Sequence, residues 1–107
     1  MAYDEDLANR VREQLADQDA VTEKRMFGGL AFLVGGNMAV AASRTGGLLA
    51  RVDPQDSEAL VEVDGVERMV MRGRPMDGWL LVEANRVADD AGLAAWVERG
   101  VAAAGTA

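Results

Sequence analysis

Leu7, Val11 and Leu15 recur at four-residue spacing with Ala8 and Ala16 beside them, a pattern that predicts a helix over residues 4–17. Asp4 is placed to cap it, and Glu5 and Asp6 face the positive end of its dipole. After a polar break at 17–20 the period changes. Residues 22–34 read as one strand bent at Gly28-Gly29, Gly35-Gly36 as a tight hairpin, and Asn37–Ser43 as a second strand. Arg44-Thr45-Gly46-Gly47 forms a turn into a third strand, Leu48–Val52. Asp53-Pro54 starts a helix, with Asp53 as cap and proline tolerated in the first turn; it ends before Asp64-Gly65. Val66–Arg72 and Gly78–Glu83 predict two more strands joined by a Gly73–Asp77 turn. Asp89 or Asp90 caps a last helix in which Leu93, Trp96/Val97, Gly100/Val101 and Ala104 keep the helical period and which Gly105 ends.

The order α-β(3)-α-β(2)-α, with short hairpin connections, predicts an α+β two-layer sandwich: a largely antiparallel sheet with helices on one side. No repeat or linker divides the chain, which reads as one domain over residues 1–107. One feature departs from simple alternation. Met38, Val40 and Ala42 alternate with Ala39 and Ala41, so both faces of that strand are small or apolar. Trp79/Leu81 and Leu80/Val82 repeat this on the final strand. An apolar second face predicts an interaction surface, and a two-fold homodimer through the sheet is the expected closed solution.

Composition narrows the chemistry. With no cysteine and no histidine, disulfides, thiolate chemistry and the commonest general base and metal ligand are all absent. Lys24 is the sole lysine and has no activating signature, and the sequence offers no base motif that would activate Ser43 or Ser57 as a nucleophile. Asp89-Asp90 reads as a cap rather than a cation site. The expectation is a non-enzyme with no cofactor and no metal. No apolar run is long enough to span a membrane, and the acidic N-terminus is unlike a signal peptide, which predicts a cytoplasmic protein without membrane attachment.

The net charge is −7, and it is unevenly spread. Residues 1–23 hold seven acids against two bases, whereas residues 24–51 hold four bases and no acid. Acidic helices thus accompany a basic first half of the sheet. The overall sign, with no lysine run or interleaved exposed aromatics, makes direct nucleic-acid binding an unfavoured function.

Two motifs stand out. Lys24-Arg25-Met26-Phe27-Gly28-Gly29-Leu30-Ala31-Phe32 sets two glycines inside a strand pattern, which points to a bulge, a bend or a close approach to the backbone. Gly73-Arg74-Pro75-Met76-Asp77-Gly78-Trp79 is the second. With Gly36-Asn37-Met38, Ala88-Asp89-Asp90 and Leu93-Ala94-Ala95-Trp96-Val97, these segments resemble, in order and over almost the whole chain, the N-terminal-domain family of the bacterial competence regulator TfoX (Sxy).

The resemblance implies a compact two-layer α+β domain of secretion-chaperone-like architecture and no established catalytic activity. Longer members carry a second, C-terminal domain, so this chain is expected to be a standalone, single-domain member. The implied function is a regulatory, non-enzymatic module that binds a protein partner of unknown identity. An alternative is a domain responsive to a small anion or a nucleotide, using Arg25 and Arg74. Candidate interaction or anion-site residues are Arg25, Phe27, Gly28, Gly29, Arg74, Pro75 and Trp79. Each has a structural reading beside it: internal ion pairs for the arginines, a bend for the glycines, packing for the tryptophan.

Overall fold

A computed structural model describes residues 3–26, 28–44, 46–71 and 73–106. Helix α1 (Glu5–Gln14) starts where expected, with the Asp4 carboxylate accepting from the backbone N–H groups of Asp6 and Leu7. Six strands follow in two groups: β1 (Val21–Met26), β2 (Gly29–Val34), β3 (Asn37–Ala42) and β4 (Leu48–Arg51), then β5 (Val66–Met71) and β6 (Arg74–Val82). Between the groups lie a 3-10 turn, Pro54–Asp56, and the one-turn helix α2 (Ser57–Leu60). A second 3-10 turn, Ala84–Val87, leads to α3 (Asp90–Gly105), capped by Asp89 through the N–H of Gly92 at 2.7 Å.

The strands form one antiparallel sheet in the order β1-β2-β3-β4-β6-β5. Leu7, Ala8, Val11 and Leu15 at α1, and Leu93, Trp96 and Val97 of α3, pack on Leu30, Phe32, Val40, Leu48, Leu80 and Val82 of the sheet. This is the expected two-layer α+β arrangement. Helix α3 approaches the sheet closely because Gly100 has no side chain: a Cβ there would run into the Ala39 carbonyl and lie 2.8 Å from Val40 Cγ1. Asn37 Nδ2 donates to the Ala104 carbonyl at 3.2 Å and ties the β2–β3 turn to the far end of α3.

Two strand boundaries differ from expectation. Residues 22–34 are not one bent strand; the chain reverses after Met26, which pairs with Gly29, so the segment makes the β1–β2 hairpin and the sheet gains a strand. Gly28 carries φ +77°, and a Cβ on Gly29 would collide with the Ala42 carbonyl, so the first glycine makes the turn and the second admits the neighbouring strand. Gly28→Val is expected to destabilise the domain by about 1–3 kcal/mol through strain at positive φ. Chemical denaturation measures it, and an unchanged midpoint would refute the assignment.

The second difference lies at residues 73–77. Only the tip is a turn; β6 already begins at Arg74, with Arg74 opposite Met71 and Pro75 opposite Val70. Extended backbone is favoured before proline. The missing proline N–H is tolerated because this part of β6 has a partner on one side only.

Candidate functional site: the open face of the sheet

Alternation along each strand sorts the side chains between the two faces. The set opposite the helices forms its own apolar cluster. Ala31, Ala41 and Leu49 are buried in it, and Met26, Leu33, Met38, Met69, Trp79 and Leu81 pack against them half-exposed. Every member comes from a strand, so among the described residues no helix contributes to this layer. The alanines are shielded by the longer side chains around them rather than by a second layer of structure.

Cross-strand register defines one continuous row over the middle of this face. Lys24 pairs with Ala31, Ala31 with Ala41, Ala41 with Leu49, Leu49 with Leu81, and Leu81 with Glu67. The row therefore runs from a cation on the β1 edge to an anion on the β5 edge, and both end residues are exposed. Its interior is small on β2 and β3 and large on β4 and β6.

Beside the row, Arg51 lies opposite Trp79 on neighbouring strands, with its guanidinium carbon 4.9 Å from the ring centroid. Such a stack is worth about 0.5–1 kcal/mol at an exposed site. Arg51 Nη1 also approaches the Met38 carbonyl at 3.5 Å. Next to the stack is a cleft of about 240 Å³, lined by Asp53, Pro54, Asp77 and Gly78 and by Ala103 and Thr106 at the end of α3. Drug-sized ligands occupy pockets of about 300–1,000 Å³, so this cleft is small for one.

The acidic character sits on the other layer. Asp4, Glu5, Asp6 and Glu13 surround α1, and Asp89, Asp90 and Glu98 belong to α3 or its cap. Arg12 on α1 donates from Nε and Nη2 to both carboxylate oxygens of Glu23 on β1, at 2.8 and 2.7 Å. That fork holds the Glu23 carboxyl below its ordinary pKa and the Arg12 guanidinium above its own. The open face, by contrast, carries only Lys24, Arg51 and Glu67 among the charged residues in register with its cluster. Among the described residues no three carboxylates converge as a metal-holding group.

The sequence model of the TfoX N-terminal domain matches residues 13–104. The chain belongs to this family. Comparison with curated proteins and with solved structures gives no match.

In this TfoX N-terminal domain the candidate residues singled out from sequence do not form one site. Arg25 lies on β1 and Arg74 at the start of β6, four strand spacings apart, which is roughly 19 Å before their displacement along the strands is added. They sit near opposite ends of the sheet, and neither lines the clefts found among the described residues. Among the described residues the ion pairs are Arg10–Asp90, Arg12–Glu23 and Arg68–Asp77, so the internal pairing considered for Arg25 and Arg74 is not found there. Gly28 lies in the β1–β2 turn with the Arg44 side chain alongside it, and Gly29 opens β2. Pro75 is exposed in the β5–β6 extension. Phe27 lies outside the described residues. Trp79 alone belongs to the open-face cluster.

Sequence reasoning did not single out Lys24, Leu33, Leu49, Arg51 or Glu67 as surface partners. The apolar doubling on β3 and β6 signalled that a second face existed. Which charged residues frame it depends on strand order, and no local pattern carries that.

Proposed function

We propose that this TfoX N-terminal domain is a non-enzymatic regulatory module that binds protein through the open face of its sheet. The observation that carries the reading is the strand-only apolar cluster around Ala31, Ala41 and Leu49, framed by Met26, Leu33, Met38, Met69, Trp79 and Leu81. Apolar surface of this kind gains free energy when covered, at about 25 cal/mol per Å², and methionine side chains adapt to a partner's shape. Membership of the domain family of a competence regulator supports a regulatory role. The charge of −7 and its concentration on the helix layer favour a protein partner over a nucleic acid.

Leu33→Glu and Leu81→Glu test the reading, because both side chains are half-buried on this face and a carboxylate there opposes burial. Bait protein in an extract of the native cell, with mass-spectrometric identification, is expected to capture partners that either substitution abolishes. Glu13→Lys on the outer surface of α1 should leave capture intact. Retention of the same partners by both sheet variants, with cooperative unfolding preserved, would overturn the assignment.

A further inference from the structure

We propose that one occupant of the open face is a second copy of this chain, related by a two-fold axis lying along the strands between β3 and β4. The inference rests on the reading of that face as an interaction surface and specifies what covers it.

The row Lys24–Ala31–Ala41–Leu49–Leu81–Glu67 supplies the argument. Rotation about such an axis exchanges β1 with β5, β2 with β6 and β3 with β4. Lys24 then stands over the partner's Glu67, and Glu67 over the partner's Lys24. Ala31 meets the partner's Leu81 and Ala41 meets the partner's Leu49, so each large side chain is received above a small one. Along this row charge and size are both self-complementary under this one operation, as an isologous interface requires. The other in-plane axis, across the strands, places Lys24 over Lys24 and alanine over alanine. It would set like charges together and leave a void at the centre.

Area and charge agree with this arrangement. Six strands at about 4.8 Å spacing and three residue rows cover roughly 30 by 20 Å, so a face-to-face pair buries on the order of 1,200 Å² in total. That is the low end for a specific interface, about 1,200–2,000 Å². Facing sheets pack with their strands within about 30° of each other and about 10 Å apart, which leaves room for one interdigitated layer of side chains. Each chain carries −7, and this orientation turns both acidic helix layers outward and brings together the faces that carry few charges.

A charge swap at the row's ends is the test. Lys24 and Glu67 are exposed, so Lys24→Glu and Glu67→Lys are compatible with folding. Sedimentation velocity from low to high micromolar concentration should show the unaltered protein moving between one chain mass, 11.4 kDa, and twice that mass. Each single reversal sets like charges opposite and is expected to raise the dimer dissociation constant about tenfold or more. The double variant Lys24→Glu/Glu67→Lys should recover dimerisation. A single-chain mass at every concentration would overturn the dimer. A dimer indifferent to the single reversals, or not rescued by the double one, would overturn this axis. Neither result depends on capture of other proteins by the same face, so loss of partner binding in Leu33→Glu separates failure of the dimer from failure of the interaction surface.

Discussion

Gly100→Leu is expected to cost the domain about 3 kcal/mol of unfolding free energy, the upper range for forcing a side chain into a packed contact. The position lies in the middle of α3, where glycine is otherwise a poor choice, so its presence has a tertiary reason. Any Cβ at 100 meets the Ala39 carbonyl and comes within 2.9 Å of the Ala39 carbonyl carbon. Backbone cannot swing aside as a flexible side chain can. Helix α3 must therefore lift from β3, and the contacts of Leu93, Trp96 and Val97 loosen with it. For a domain of this size the thermal midpoint should fall by roughly 15 °C. Gly105→Ala provides the contrast, because nothing lies within 4 Å of a Cβ there. That variant should be neutral or slightly stabilised. Equal melting temperatures for the two variants would show that α3 does not rest on Ala39.

The second large effect is expected at Gly78, which joins three elements. Its N–H donates to the buried Ser57 hydroxyl at 2.7 Å, and its carbonyl accepts from the N–H of Val52 at 2.9 Å. It holds φ +85°, with Val52 O 3.1 Å and Pro54 Cγ 3.3 Å from where a Cβ would lie. Gly78→Val combines left-handed backbone strain of about 1–3 kcal/mol with crowding against backbone, and a total near 3 kcal/mol follows. Ser57→Ala isolates one contribution: it leaves the Gly78 N–H unpaired in a buried site, at about 1–3 kcal/mol. Urea titration reads both through the midpoint at constant m-value. If Ser57→Ala proved silent, the 3-10 turn and α2 would not be anchored to β6 through this bond. Because Gly78 sits between Asp77 and Trp79, loss of the anchor should also disorder the Arg51–Trp79 stack on the open face.

What could be read from the chain was whatever depends on neighbours in sequence. Asp4, Asp53 and Asp89 cap as expected because each carboxylate reaches N–H groups two or three residues ahead. The stripe Leu7, Val11, Leu15 and the stripe Leu93, Trp96/Val97, Gly100, Ala104 bury the faces that their period marks. The α+β class followed from these elements in order, and the family from two glycine-bearing motifs. Apolar residues at alternate and intervening positions of β3 and β6 announced a second hydrophobic face.

Tertiary structure decided the rest. Gly28-Gly29 permits a bend, a bulge or a reversal equally well, and only pairing of Met26 with Gly29 and the close approach of Ala42 select the hairpin. Arg25 and Arg74 look comparable in sequence, yet the placement of β6 beside β4 carries them to opposite sides of the sheet. The same strand order puts Lys24 and Glu67 at the two ends of one apolar row, although they lie in segments that share no local pattern. Side-chain period tells which face a residue takes. The strand it stands beside is set by long-range pairing, which local preference does not encode.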